Sequence, residues 1–262
     1  MSWSEGRPVP LACWPTYGLW RSLVSALVWG TRGRGFKSRQ PDNGKSRSEP
    51  VREGRLCSFR ATVCHDRSVP PDRFDADYYR RYYGRQPVHD RRTIARLAAG
   101  VLGMAAWWRI PIRSVLDVGA GKGYWRDHLS AAHPRVRYHG IDVSEHACRR
   151  YGHELADLAT WRPTRRYDLV VCQSMLQYLD DRQAAAAIES LADACRGLLF
   201  VVVPTVEDRD QAIDPSGTDL DVHWRTGAWY RRRLDRRFTE IGGGLWLADT
   251  SEAVLFELER GR

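Results

Sequence analysis

The stretch from Ser114 to Trp125, Ser-Val-Leu-Asp-Val-Gly-Ala-Gly-Lys-Gly-Tyr-Trp, constrains this chain more than any other. Val115, Leu116 and Val118 form a short apolar run, the pattern of a fully buried strand. Gly119, Gly121 and Gly123 break that run just before a helical pattern opens at Trp125. The stretch therefore reads as strand, tight turn and helix. Glycines at the turn permit positive φ and close approach of a ligand to the backbone. The helix behind them offers free N–H groups and a positive dipole end, so a ligand with an anionic or carboxylate part is expected there.

The rest of the chain repeats this alternation. A helix over about Asp90 to Trp108 carries Ile94, Leu97, Val101, Leu102 and Ala105 on one stripe, and a second helix runs from about Trp125 to Ala132. Strands are expected over Val136–Ile141, Leu155–Leu158, Tyr167–Cys172 and Leu198–Val203. The fourth strand, Tyr-Asp-Leu-Val-Val-Cys, is apolar on both faces as a central parallel strand should be. Ser144 is placed to cap a helix through Tyr151, and Asp181 to cap an alanine-rich helix to Ala194. A polar loop from Thr205 to Arg225, a helix from Thr226 to Arg237, and strands over Phe238–Leu247 and Ala253–Leu258 complete the chain. Strands alternating with helices imply a mostly parallel sheet covered on both faces, and the closing pair implies one antiparallel strand.

The glycine spacing narrows the ligand. A dinucleotide fingerprint is G-x-G-x-x-G, with an acidic residue about 20 residues on. Here the pattern is D-x-G-x-G-x-G, with Asp117 inside the strand end and Tyr124 where that fingerprint needs a small residue. A nicotinamide oxidoreductase, the first competing reading, is disfavoured by this spacing. The sequence instead resembles motif I of the class I S-adenosylmethionine-dependent methyltransferases, and the resemblance extends over residues 72–262. It implies an α/β, Rossmann-like class I methyltransferase fold with a seven-stranded, mostly parallel sheet, one antiparallel strand, and helices on both faces. The implied cofactor is S-adenosyl-L-methionine.

Asp142 lies 23 residues after Gly119 at the end of the next strand, where a carboxylate can accept from both ribose hydroxyls of an adenosine. By the resemblance, Asp117 orders the glycine amides, and Gly119, Ala120, Gly121 and Gly123 bring backbone onto the methionyl portion. Val143 adjoins the ribose carboxylate. Asp157 and the backbone of Leu158 meet the adenine, and Cys172, Gln173 and Ser174 leave the fourth strand at the cleft. Gln173 or Met175 could line the adenosine or methyl-donor end, and Gln177 stands where relatives often carry a polar residue facing substrate. The reaction implied is in-line displacement at a sulfonium methyl, for which the protein mainly positions an acceptor and excludes water. If a base is needed, His223 beside Trp224 is the first candidate and Tyr230 the second, each competing with an ordinary surface or packing role.

The expected acceptor is a small molecule. The end of the fourth strand lacks an Asn/Asp-Pro-Pro-aromatic signature, Cys172 has no preceding proline for covalent cytosine chemistry, and no His/Asp/Asn cluster points to a metal. The run Arg231-Arg-Arg-Leu-Asp-Arg-Arg237 reads as a solvated helix face, with an RNA acceptor as the alternative. A non-catalytic nucleotide-binding module is the other. The expected state is a monomer or homodimer.

The net charge of +9 is mostly local: residues 1–70 hold 12 Lys+Arg against 5 Asp+Glu, and the remainder 29 against 27. A near-neutral domain gives no electrostatic argument for nucleic acid. Six cysteines without a C-x-x-C pair read as reduced thiols, and no run approaches a membrane span, so a cytoplasmic protein is expected. Residues 1–70 lack periodicity and are expected to be a disordered basic extension. Within them Leu19 to Gly30 is apolar, but Arg21 interrupts it and no cleavage site follows, against a signal peptide. Arg34-Gly-Phe-Lys-Ser-Arg39 resembles the conceptual translation of a transfer-RNA T arm. That reading would move the true start to a non-AUG codon such as that of Val51, Val63 or Val69; a real basic tail is the alternative. Residues 71–110 are expected to be a helical cap, its Phe74–Tyr83 segment closing over the cofactor, and 111–262 the cofactor-binding core.

Overall fold

A computed structural model describes residues 73–84 and 87–261. The readings of residues 1–70 lie outside the described residues. Seven strands form one sheet in the order β3-β2-β1-β4-β5-β7-β6. They are β1 (Ser114–Val118), β2 (Arg137–Asp142), β3 (Glu154–Leu155), β4 (Tyr167–Gln173), β5 (Cys195–Val202), β6 (Phe238–Gly242) and β7 (Leu245–Ala248). β1 to β5 pair in parallel, while β7 runs antiparallel to both β5 and β6. The expected sheet, with β7 as its one antiparallel strand, is present.

Among the described residues six α-helices cover it: α1 (Ala76–Tyr83), α2 (Arg91–Trp107), α3 (Tyr124–Ala132), α4 (Glu145–Tyr151), α5 (Asp181–Ala194) and α6 (Gly227–Leu234). Alternation along the central strands divides the core into two faces. Leu116, Val118, Val170, Leu199 and Val201 pack with Ile188 and Leu191 of α5 and Leu234 of α6. Val115, Leu169, Val171, Leu198 and Phe200 pack with Ile94, Leu97 and Val101 of α2 and Leu129 of α3. Thus α2 is a layer of the core, and only α1 with the residues before it lies over the strand ends.

Two local readings are corrected. The helix after β4 is capped by Asp180, which accepts from the Gln183 N–H and completes a capping box, while Asp181 is its first residue. The last two strands both come from 238–248, because Gly242, Gly243 and Gly244 all take positive φ and turn the chain into a hairpin. The stretch Ala253–Leu258 is not a strand. Its alternation, Leu255 buried between exposed Val254 and Phe256, imitates one without a ladder partner.

One buried cation fixes the wall of the sheet's upper end. Arg225 is 5% exposed, and its guanidinium donates to Leu176 O at 3.2 Å, Leu179 O at 2.5 Å, the Tyr230 hydroxyl at 3.2 Å and Asp181 Oδ1 at 2.7 Å. It thereby joins the 3-10 turn Leu176–Tyr178 to α5 and α6. Arg225→Met leaves two buried carbonyls and a phenol without that donor, and the expected loss is about 2–4 kcal/mol of unfolding free energy. A urea-denaturation midpoint equal to that of the parent would contradict this role.

Candidate functional site

The carboxyl ends of β1, β2 and β4 open onto a cavity whose space, with its solvent-filled mouth counted in, is about 720 Å³. It sits where the strand order reverses between β1 and β4, the position at which an open α/β sheet leaves a crevice. Gly119 and Gly121 line it from β1, Asp142 and Val143 from β2, Asp157 and Leu158 from the segment after β3, and Gln173, Ser174 and Met175 from β4. The sequence placed these residues together, and they do share one wall. Phe74, Tyr78, Tyr79 and Tyr83 form the opposite side.

The glycine turn is bound into the sheet. Gly119, Gly121 and Gly123 take φ of +70°, +52° and +72°, a region costly for any residue with a Cβ. The N–H groups of Gly119 and Ala120 both donate to Ile141 O, at 2.9 and 3.1 Å, and that of Gly121 donates to Asp142 Oδ2 at 2.8 Å. These amides are spent on the protein itself, so the turn offers a ligand bare backbone more than free donors. At Gly119 a Cβ would meet the Met175 side chain at 3.0 Å. Ala120 is buried, and Gly123 forms the start of α3, off the cavity wall.

Asp142 holds the centre. It is 7% exposed, accepts from Gly121 N–H on one oxygen and from Ser144 N–H on the other, and still faces the cavity. Burial raises its pKa, opposed by those backbone hydrogen bonds. Asp157 accepts from Ala159 N–H at 2.9 Å, so it organises its own turn as well as lining the cavity. Gln173 is fastened by Trp125, whose indole N–H reaches its Oε1 at 3.3 Å. Cys172 is fully buried behind the wall, where burial drives its thiol pKa up.

The cover is tied down at four points. Ser144 donates from its hydroxyl to Phe74 O at 2.5 Å, Lys122 Nζ donates to Tyr83 O at 3.1 Å, and the hydroxyls of Tyr78 and Tyr178 meet at 2.8 Å. Arg73 pairs with Asp219 at 3.1 Å and lies 5.0 Å over the Tyr178 ring, which fastens the start of the cover to the 205–225 loop.

His223 and Tyr230 are not at the cavity. His223 is an exposed loop residue whose backbone N–H is taken by Gln177 O, and Tyr230 is 3% exposed in the core under α6, bonded to Arg225. Their positions after β5 made them candidates, but the loop leaves His223 at the surface and α6 turns Tyr230 into the core. Sequence reasoning missed the links behind the site. Tyr138 donates to Asp117 Oδ2 at 2.8 Å, and His153 Nε2 lies 3.1 Å from Gly121 O. Neither pair shares a motif, and both depend on β2 pairing with β1 and β3 with β2.

Asp117 is 3% exposed, and burial lifts its pKa to about 7 against the hydrogen bond from Tyr138 and with the added repulsion of Asp142. The folded pKa lies above the unfolded value, so the stabilisation from keeping this acid protonated is complete below about pH 4 and is lost as pH rises through 7. Asp117→Asn keeps an acceptor for Tyr138 without the charge. The variant should match the parent near pH 4 and exceed it by roughly 2–4 kcal/mol at pH 8 in denaturant titrations. A difference independent of pH would contradict a buried, titrating Asp117.

No curated protein matches this sequence. Among solved structures, magnesium protoporphyrin IX methyltransferase of Synechocystis PCC 6803, crystallised with bound SAM, is 22% identical, with 64% of this chain and 84% of that chain covered and a TM-score of 0.44. DesVI of Streptomyces venezuelae is 19% identical, over 59% of this chain and 90% of that one, with a TM-score of 0.46. A family model described as a methyltransferase domain matches residues 79–244. That span holds the glycine turn, both acidic strand ends and the β4 wall, and takes in well over half of the 262 residues. The chain belongs to the methyltransferase-domain family.

Proposed function

We propose that this chain transfers the methyl group of S-adenosylmethionine to a small-molecule acceptor, and that it works in the cytoplasm. The observation that carries the reading is Asp142, a nearly buried carboxylate facing a cavity beside Gly119 and Gly121 in a chain of the methyltransferase-domain family. A carboxylate there, with lone pairs left over from its two backbone bonds, calls for a ligand with hydroxyl donors. The residues fit the cofactor. Asp142 would hold the ribose, Asp157 and Leu158 the base, and the bare backbone at Gly119 and Gly121 the methionyl part. When bound, S-adenosylmethionine supplies an electrophilic methyl on a positively charged sulfur.

What the chain adds is position and dryness. Phe74, Tyr79 and Tyr83 exclude water from the strand ends, and Met175 and Ser174 stand at the floor. The roof fastened across the cavity favours a small acceptor over a polymer. The arginines of α6 and of the turn after it support the same choice: Arg231 pairs with Glu240, Arg237 with Glu189 and Asp193, and Arg233 lies 3.5 Å over the Trp229 ring. Cys148, Cys172 and Cys195 are free thiols, in keeping with a reducing compartment. Among the described residues no helix is long and apolar enough to cross a membrane.

Calorimetric titration of the full chain with S-adenosylhomocysteine and with NADH tests the reading. Micromolar binding of the first and none of the second is expected. Asp142→Ala removes two charge-assisted hydrogen bonds of about 1.5–3 kcal/mol each, a loss of at least about 100-fold in affinity. A folded protein that prefers NADH, or that binds neither, overturns the proposal.

A further inference from the structure

Beside the first cavity lies a second, about 490 Å³ with its solvent-filled mouth counted in, which shares Tyr78, Tyr83, Ser174 and Tyr178 with it. Its remaining walls come from the 205–225 loop, at Gly217, Thr218 and Asp219, and from Gln177, Tyr82, Val88 and His89. Arg73, at the start of the cover, fastens that loop through Asp219.

Three oxygen atoms of this pocket are unsatisfied. Gln177 Oε1, Ser174 Oγ and Thr218 Oγ1 are buried and have no hydrogen-bond partner within the protein. Gln177 is only 4% exposed. Leaving a buried amide carbonyl unmade costs folding energy, so groups converging in this way on one pocket point to a ligand. Ser174 adds a second sign. It is a non-glycine residue with φ of +54°, at the boundary of the two cavities, with its N–H held by Val202 O at 2.7 Å. Backbone strain of this kind persists where a site needs a side chain aimed in one direction.

The chemistry of the walls selects the ligand. Gln177 Oε1 can only accept, and the two hydroxyls can accept. Four tyrosine rings, Tyr78, Tyr82, Tyr83 and Tyr178, present π faces or edges. Among the described residues, Asp219 is the only carboxylate in the wall and no Lys or Arg lines it. Arg73 already balances that carboxylate and lies over the Tyr178 ring, so the selection comes from the three unpaired oxygens, which favour a ligand bringing N–H or O–H donors over a carboxylate or phosphate that brings only acceptors. We propose that the second pocket is the acceptor subsite and that it takes a small ring-bearing amine, with Gln177 and Thr218 accepting its N–H or O–H groups and the tyrosines packing on its ring; the neutral nitrogen bonds to the methyl carbon as the carbon–sulfur bond breaks, and its proton passes to solvent. The proposal rests on the methyltransferase reading above and names the acceptor class for it.

The test uses the full chain with saturating S-adenosylhomocysteine and two probes matched in ring and length, tyramine and 4-hydroxyphenylacetate, titrated by ligand-observed NMR. Tyramine should bind saturably and the anion at least about ten-fold more weakly. Gln177→Leu removes an amide whose carbonyl the protein leaves unpaired. It should weaken tyramine about five-fold or more while the melting temperature stays level or rises, and Thr218→Val should act in the same direction. A merely structural Gln177 would lose stability on the same change. Equal or tighter binding of the anion, tyramine binding unaffected by both variants, or no tyramine binding by a chain that does bind S-adenosylhomocysteine overturns the acceptor proposal alone. Failure to bind S-adenosylhomocysteine removes the methyltransferase reading and this proposal with it.

Discussion

The carboxylate of Asp142 is where the parts of this molecule meet. One oxygen takes the Gly121 N–H and so holds the glycine turn against β2, while the other takes the Ser144 N–H at the start of α4. Ser144 in turn caps α4 through Ala147 N–H and donates its hydroxyl to Phe74 O, the first link of the cover. A buried charge is tolerable only when such donors surround it. The same requirement that keeps Asp142 paired therefore sets the spacing of turn, helix and roof around the cavity. It also concentrates negative charge: Asp117 lies close enough for Asp142 to help raise its pKa. A ligand carrying positive charge in this cavity meets Asp142 in its wall, while Asp117 stays buried outside the lining.

The parts of the fold legible from sequence were those written in local chemistry. Alternate glycines after a buried apolar run can satisfy few structures other than a strand-turn-helix, and their positive φ values show why no other residue serves. The apolar stripe of α2, the cap at Ser144, and the doubly buried β4 follow from periodicity and short-range hydrogen bonding. The closing hairpin misled because Ala253–Leu258 alternates like a strand, whereas the ladder that defines one is a long-range pairing. Asp180 and Asp181 are both capping types, and only the backbone position separates them.

The site divides in the same way. Gly119, Gly121, Asp142 and Asp157 sit at strand ends, so strand order alone carries them to the cavity. His223 and Tyr230 belong to a loop and to a helix whose orientation is set by Arg225, a buried arginine that no pattern around it announces. The second pocket was half visible. Gln177 and the aromatic segment attracted notice as residues, but Thr218 and Asp219 come from a loop without periodicity. Their meeting with Tyr78 and Tyr82 is a property of the folded chain.

The most direct test of the account is a crystal structure of the full chain with S-adenosylhomocysteine. The account predicts density in the cavity at the ends of β1, β2 and β4, with both ribose hydroxyls on the Asp142 carboxylate, the base near Asp157 and Leu158, and the sulfur facing the boundary at Ser174. Density at another place on the sheet, or a nucleoside bound without contact to Asp142, would contradict it.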